Sequence, residues 1–276
     1  MALKEKLKKI KIILLIYRFT NKMFRNINIF RKHNPEVGTN YNWILPYIDK
    51  SSATFSYIVE IGSRDALDTV SLINQLNPQK SFVFEPSLSG ISSCCKTISE
   101  YKGNTEIIFL PFAVSNFQNG INLLQFREYV NNGNFGASSL FKWHTRFHRD
   151  DDIDKGIEKI KEVEINYKVP SISLDSLDFL LEKPIFLLAM DTEGAELSIL
   201  QSAKKVLKRT KYICLETGFN LPREEVSRDV ANLIIDFLNQ IGFKVLAVDN
   251  ESNSLPENDG YFDQFNILFE NKLLLS

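Results

Sequence analysis

The chain is poor in the residues that build disulfide, zinc and membrane proteins. Its 276 residues contain three cysteines and three histidines, and two of the cysteines, Cys94 and Cys95, are adjacent. Such usage excludes a disulfide framework, favours a reducing compartment and shows no zinc-ligand spacing. No apolar run approaches the roughly 20 residues that span a bilayer. The remaining composition, 44% hydrophobic and 24% charged, is typical of a globular protein.

Positive charge is concentrated at the beginning of the chain. Residues 1–33 hold ten Lys or Arg and one acid, whereas the other residues hold 23 basic and 33 acidic side chains. Apolar residues recur near helical spacing in this segment, which predicts a basic amphipathic helical arm. The arm either packs on protein, its own domain or a second subunit, or lies on an anionic membrane surface. We expect a cytoplasmic protein, with peripheral attachment to the inner face of a membrane as the alternative.

The acidic body lacks the basic face that nucleic-acid binding requires, so nucleic acid is not an expected partner. The sequence does not indicate an oligomeric state.

Strands and helices alternate over most of the chain. Residues 34–56 contain Pro, Gly and aromatic residues and are predicted to form a linker with a short helix. Residues 57–276 form the domain, and an insertion at about 116–170 is predicted to cover the ligand crevice as a lid. Apolar strands that are each followed by a helix indicate a doubly wound α/β domain with a mostly parallel sheet. The predicted strands are 57–62, 81–85, 106–110, 121–126, 163–169, 185–190, 212–215, 243–248 and 262–269, and the predicted helices are 66–76, 89–101, 195–207 and 224–241.

Carboxylates follow four of the predicted strands. Glu60 and Gly62 lie at the end of the predicted strand 57–62, and Glu85 ends the strand 81–85. Asp191 follows the strand 185–190, and Glu216 follows the strand 212–215. In open parallel sheets a ligand lies beyond the carboxyl ends of the strands, where the strand order reverses. An acid at position 85 is placed to accept both hydroxyls of a ribose. We expect Glu193 to cap the helix that follows Asp191.

The first loop distinguishes between two nucleotide cofactors. A dinucleotide site uses three glycines so that backbone and helix N-terminus meet a pyrophosphate, but Gly62 is followed by no second or third glycine. Asp65 at the helix N-terminus would repel a pyrophosphate, whereas Glu60 and Asp65 suit the ammonium and sulfonium of S-adenosylmethionine. An NAD-dependent oxidoreductase or epimerase is therefore the less favoured alternative.

Four segments resemble the FkbM family of S-adenosylmethionine-dependent methyltransferases. They are Ile58-Val-Glu-Ile-Gly-Ser-Arg-Asp65, Phe82-Val-Phe-Glu-Pro86, Ser171-Ile-Ser-Leu-Asp-Ser-Leu177 and Leu188-Ala-Met-Asp-Thr-Glu-Gly-Ala-Glu196. The similarity extends over about residues 57–216, and the last of the four segments is the most specific. The chain departs from many relatives at Glu60, where they have Asp, and at Ala66, where they have a second glycine.

The resemblance implies a seven-stranded, Rossmann-like class I methyltransferase sheet with a reversed last strand. It also implies methyl transfer to a hydroxyl of a sugar, glycolipid or polyketide-like acceptor. The residues predicted to bind S-adenosylmethionine are Glu60, Gly62, Ser63, Arg64, Asp65, Glu85, Ser115 and Asp191.

Proton removal from the acceptor is assigned to two candidates, Asp191 and the insertion residue His144. No metal ligand is assigned, and a divalent ion bridging Asp191 and Glu216 is a less favoured alternative. A catalytically silent scaffold recruited to a membrane through residues 1–33 is a further alternative to an enzyme.

Overall fold

The computed structural model describes residues 41–117, 120–130, 138–142, 163–219, 221, 223–249 and 263–274. Residues 39–276 form one unit of the chain and residues 1–38 another, so every described residue belongs to the former. The predicted arm, residues 1–33, lies outside the described residues. No helix in the described part of the chain is long and apolar enough to span a bilayer.

Ten strands and five α-helices are described. The strands are β1 Tyr57–Ile61, β2 Lys80–Phe84, β3 Glu106–Leu110, β4 Ala113–Val114, β5 Asn122–Val130, β6 Val163–Ile172, β7 Ile185–Met190, β8 Thr210–Phe219, β9 Phe243–Asp249 and β10 Asp263–Asn271. The α-helices are α1 Leu67–Leu76, α2 Leu88–Glu100, α3 Glu196–Ser202, α4 Lys204–Leu207 and α5 Val230–Gln240. Short 3-10 helices are Asn42–Ile44, Lys50–Phe55, Leu174–Ser176, Asp178–Leu181 and Lys272–Leu274.

Seven strands form the main sheet in the order β3-β2-β1-β7-β8-β10-β9. All neighbours in this sheet are parallel except β10, which is antiparallel to both β8 and β9. This is the methyltransferase-like α/β fold, and the predicted doubly wound, mostly parallel seven-stranded sheet with a reversed last strand is confirmed.

The sheet is covered on both faces because its central strands are apolar at successive positions. In β1, Val59 and Ile61 belong to the hydrophobic cluster that contains residues of α3, α4 and α5, whereas Ile58 belongs to the cluster that contains residues of α1. Burial on two faces accounts for the absence of apolar–polar alternation in these strands.

The segment predicted as a linker contributes to the core. Tyr41, Ile44 and Ala53 are buried in the same cluster as Ile58. The backbone N–H of Asp49 also donates to the hydroxyl of Tyr212 in β8 (3.1 Å). The last residues before β1 are thus part of the folded unit.

The insertion forms a small second sheet. Its two long strands, β5 and β6, pair in antiparallel fashion, and β4 pairs in parallel with β6. Both long strands begin within one residue of their predicted starts and extend further. The two-residue β4 was not predicted.

The predicted helix 195–207 is two helices that meet at Ala203. The Asp175 carboxylate accepts hydrogen bonds from the backbone N–H groups of Lys205 and Val206 (2.9–3.0 Å). A carboxylate that receives these N–H groups caps the start of α4, which explains why the helix restarts there.

Candidate functional site

The carboxyl ends of three central strands meet at one edge of the main sheet. Ile61 of β1 pairs with Phe84 of β2 on one side and with Met190 of β7 on the other. Because these strands are parallel, the residues that follow them, Gly62 and Asp191 among them, emerge side by side. This is the position at which strand order reverses and at which open α/β sheets bind ligands.

Backbone hydrogen bonds join the end of β1 to the ends of β2 and β7. The N–H of Gly62 donates to the carbonyl of Phe84 (2.9 Å), and the N–H of Asp191 donates to the carbonyl of Ile61 (3.0 Å). Gly62 has φ +82°, and a Cβ added to it would lie 1.8 Å from the carbonyl oxygen of Asp191. Glycine is therefore required at this position for conformation and for space.

A cavity lies beyond these strand ends and contains about 770 Å³ of empty space, part of it open to solvent. Among its described lining residues are four acids, Glu60, Asp68, Glu85 and Asp191, and one basic residue, Arg64. The site is therefore strongly acidic.

Glu60 is held inside the protein near the cavity. Its side chain is buried, and the hydroxyl of Thr69 in α1 donates to its carboxylate. Burial raises the pKa of Glu60 well above its ordinary value, and the nearby Asp68, Asp65 and Glu85 raise it further. A cation placed here would relieve this unfavourable environment.

Glu85 is fixed by two backbone donors. The N–H of Arg64 donates to one carboxylate oxygen (2.8 Å) and the N–H of Ser87 to the other (2.7 Å). Each carboxylate oxygen keeps a second acceptor position. Burial raises the pKa of Glu85, and the hydrogen bonds from Ser87 and Arg64 oppose that shift. Glu85 is thus oriented and still able to accept hydroxyl groups.

Asp191 is surrounded by further acids. Burial raises its pKa well above the ordinary value, and Glu216, Glu193 and Glu196 raise it further, while Arg64 acts in the opposite direction. Burial, Glu193 and Glu196 raise the pKa of Glu216 to about 8. The two carboxyl groups therefore hold protons more strongly than ordinary acids do, and strongly shifted acids in a cleft are typical of functional sites.

The two other acids of the same segment, Glu193 and Glu196, have different partners. Glu196 accepts hydrogen bonds from the N–H and hydroxyl of Thr192 and from the N–H of Gly194 (2.6–3.0 Å), which closes the loop before α3. Glu193, which was expected to cap the helix, instead pairs with Arg223 (2.8 Å). Glu193 lies two residues before Ala195, where the helix begins, and its carboxylate accepts a hydrogen bond from Arg223 instead.

The structure brings together six of the eight residues predicted to bind the cofactor. Those that line the cavity are Glu60, Gly62, Ser63, Arg64, Glu85 and Asp191. Asp65 does not line it; its carboxylate accepts the N–H of Leu67 (3.1 Å) at the start of α1. Ser115 does not line it either, because its hydroxyl is directed to Ser171 (3.3 Å). The predicted catalytic His144 lies outside the described residues.

Sequence reasoning missed other parts of the cavity wall. Tyr41 comes from the predicted linker, Asp68 from α1, and Phe126 and Leu140 from the insertion. Burial raises the pKa of Tyr41 well above its ordinary value, and Asp191 and Glu60 add to the shift. An acid on the apolar face of a predicted helix could have identified Asp68 from the sequence. No local sequence pattern connects Tyr41 to the strand ends.

No group of three or more His, Cys, Asp or Glu side chains within the described ranges is arranged to hold a metal ion.

Comparison with known proteins gives one match to a family. The model of the "Methyltransferase FkbM domain" matches residues 60–245, more than half of the chain. No curated protein matches the sequence.

Structural comparison matches the chain to several solved structures at low sequence identity. An rRNA methylase from Streptococcus thermophilus is 12% identical, with 79% of this chain and 87% of that chain covered and a TM-score of 0.42. TrmK of M. capricolum in complex with S-adenosyl-homocysteine is 9% identical over 79% and 62%, with a TM-score of 0.37. An FkbM methyltransferase from Methylobacillus flagellatus KT is 11% identical over 78% and 44%, with a TM-score of 0.43.

Proposed function

Since the chain belongs to the FkbM family of S-adenosylmethionine-dependent methyltransferases, we propose that it methylates a hydroxyl oxygen of a sugar, glycolipid or polyketide-like acceptor. The observation that carries the proposal is the cavity at the strand ends, where four acids and the single basic residue Arg64 meet within the described lining. Such a site favours a ligand of net positive charge.

The residues of the cavity fit S-adenosylmethionine, which has an ammonium, a sulfonium and a carboxylate. Glu85 would accept the ribose hydroxyls, because its carboxylate is fixed by two backbone donors and keeps acceptor capacity. Arg64 would bind the carboxylate of the methionine part. The four acids of the described lining, Glu60 among them, would stabilise the ammonium and the sulfonium. When bound, S-adenosylmethionine supplies a methyl group that its sulfonium makes electrophilic.

Asp191 is the residue we assign to the acceptor hydroxyl. It follows β7 directly, lines the cavity, and has a pKa raised by burial and by Glu216. A raised pKa makes the ionised carboxylate a stronger base, so Asp191 would orient the acceptor hydroxyl and receive its proton. His144 remains a predicted second candidate for this role.

Titration calorimetry with S-adenosylmethionine, S-adenosylhomocysteine and NAD⁺ tests the cofactor. We expect the first two to bind and NAD⁺ to give no heat of binding. Binding of NAD⁺ alone would support the oxidoreductase alternative and contradict the proposal.

Transfer from radiolabelled S-adenosylmethionine to neutral glycosides, a glycolipid extract and RNA tests the acceptor. We expect label in the glycosides or glycolipids and a mass increase of about 14 in the product. Asp191→Asn should lower turnover by at least about 100-fold, whereas Asp178→Asn, a change at an exposed acid, should leave it unchanged. Labelled RNA without labelled glycan would contradict the proposed acceptor class.

A further inference from the structure

A second, smaller cavity adjoins the first at Asp191, which lines both. It contains about 260 Å³ of empty space, part of it open to solvent. Its wall includes Glu216 and Thr217, which lie in the C-terminal half of β8, together with Glu193 and Arg223. The cofactor residues Glu60, Glu85 and Arg64 belong to the first cavity and are not part of this wall.

Thr217 supplies an observation that packing does not explain. Its side chain is 1% exposed, and its hydroxyl has no hydrogen-bond partner in the described part of the chain. A buried hydroxyl without a partner costs about 1–3 kcal/mol, so such groups are retained where a ligand or water satisfies them. Thr217 belongs to the wall of this cavity, so a ligand hydroxyl or a water that enters beside it would give the buried hydroxyl a partner.

The charges of the wall select against anions. Arg223 is buried and pairs with Glu193 at 2.8 Å, so its charge already has a carboxylate partner. The pKa of Glu216 is raised to about 8 by burial, Glu193 and Glu196, and that of Asp191 is also raised. Carboxyl groups form hydrogen bonds with hydroxyl groups in either protonation state. A phosphate, in contrast, would bring negative charge next to the four acids of the described wall, whose one basic residue is already paired.

We propose that the second cavity binds the hydroxyl-bearing edge of an uncharged polyol acceptor, with Thr217, Asp191 and Glu216 as its hydrogen-bond partners. The inference rests on the proposed function, because it places the acceptor beside the residue that receives the hydroxyl proton. It adds an acceptor site made by the end of β8, and it assigns Thr217 as a residue that determines acceptor specificity.

The test uses the full chain saturated with S-adenosylhomocysteine. Saturation-transfer NMR measures binding of methyl glycosides of glucose, galactose, mannose, rhamnose and fucose, of the 6-phosphates of the first three, and of polyadenylate RNA. We expect at least one neutral glycoside to bind and its 6-phosphate to bind at least tenfold more weakly.

Thr217→Val removes the unpartnered hydroxyl and keeps the shape of the side chain. We expect it to weaken binding of the neutral glycoside roughly threefold to tenfold, the effect of one hydrogen bond. S-adenosylhomocysteine affinity should not change, and the melting temperature should stay or rise, because no protein hydrogen bond is lost.

The matched control is Thr210→Val, on the same strand. Thr210 is fully buried, and its hydroxyl donates to the carbonyl of Val206 (2.9 Å). This variant should lower the melting temperature and leave glycoside binding unchanged.

Two results would overturn the inference alone: a 6-phosphate binds more tightly than the neutral glycosides, or Thr217→Val leaves glycoside binding unchanged. Absence of glycoside binding, or tighter binding of RNA, would overturn it together with the proposed acceptor class. Failure of the wild-type chain to bind S-adenosylhomocysteine would overturn the proposed function together with this inference, so the two failures are distinguishable.

Discussion

At the scale of single residues, the site depends on the close approach of Gly62 to Asp191. The added methyl of Gly62→Ala would lie 1.8 Å from a backbone oxygen that is fixed by the sheet, at φ +82°. We expect the substitution to destabilise the fold by at least about 3 kcal/mol and to abolish cofactor binding. Urea unfolding and calorimetry with S-adenosylhomocysteine measure the two effects.

Gly120→Ala is the matched control for that substitution. Gly120 also has positive φ, +71°, but an added Cβ would meet no atom within 4 Å. It should lose only about 1 kcal/mol, the cost of the left-handed backbone. Equal losses in the two variants would show that crowding against Asp191 is not the cause.

The acid pair Asp191 and Glu216 predicts a pH dependence of stability. Glu216 faces Asp191, whose pKa it raises. Glu193 and Glu196 raise the pKa of Glu216, and Arg223 lowers it. Because its folded-state pKa is about 8, above the unfolded value of about 4.3, the native state holds a proton that the unfolded chain releases between these values. The contribution of Glu216 to stability is therefore greatest below about pH 4 and decreases as pH rises toward 8.

Glu216→Gln should remove that dependence. We expect the free energy of unfolding of the wild type to decrease relative to the variant between pH 5 and pH 8, by up to about 1.4 kcal/mol per pH unit. Urea unfolding of both proteins at several pH values gives the comparison. Parallel curves across this range would contradict a raised pKa for Glu216.

At the scale of elements, the antiparallel pair of β5 and β6, here called the insertion hairpin, contacts the start of α2. The hydroxyl of Tyr167 in β6 donates to Glu128 of β5 (2.7 Å) and accepts the N–H of Leu88 (2.9 Å). Glu128 is buried and also accepts the N–H of Ser89 (3.1 Å). These bonds position the hairpin next to Glu85, and Phe126 of β5 lines the cofactor cavity.

Tyr167→Phe should break the contact between the insertion hairpin and the start of α2. We expect a loss of about 1–3 kcal/mol of stability, because two hydrogen bonds are removed and the buried Glu128 loses a donor. S-adenosylhomocysteine affinity should fall roughly threefold or more, since the cavity wall loosens. Tyr47→Phe, at a tyrosine that is 53% exposed, is the control and should change neither quantity. Unchanged S-adenosylhomocysteine affinity in Tyr167→Phe would show that this contact does not determine the shape of the cavity.

At the scale of the whole molecule, the charge asymmetry between residues 1–33 and the rest of the chain predicts a salt-sensitive interaction. Ten Lys or Arg near an anionic bilayer each contribute about 1 kcal/mol of attraction. We expect the full chain to float with vesicles that contain anionic lipid at low salt and to be released at high salt. Neutral vesicles should retain little of it.

Deletion of residues 1–33 is the corresponding variant. It should abolish flotation and leave S-adenosylhomocysteine affinity unchanged, because the variant keeps every residue of the described cavity wall, which lies between positions 41 and 195. Equal flotation of the two proteins would discard membrane attachment through residues 1–33 and favour packing of the arm on protein.

The order of the elements and the acids at the strand ends could be predicted from sequence because both are local. Apolar runs such as those of β1 and β7 are long enough to identify buried strands, and parallel strands bring their carboxyl ends to one edge whatever the loops contain. The FkbM resemblance rested on these same segments, which is why family, fold class and strand-end acids could be predicted together.

The tertiary structure decided which side chains complete the site. Whether Glu193 or Glu196 closes the loop after β7 depends on Arg223, 30 residues away in sequence. Tyr41, Phe126 and Leu140 enter the cavity wall from the predicted linker and the insertion, and Ser115 faces Ser171 rather than the cavity, because pairing of distant segments sets these positions. Sequence alone thus determined the charge and the edge of the sheet at which the cofactor is proposed to bind. Long-range packing determined the shape of the cavity, the raised pKa values of its acids and the second cavity beside Asp191.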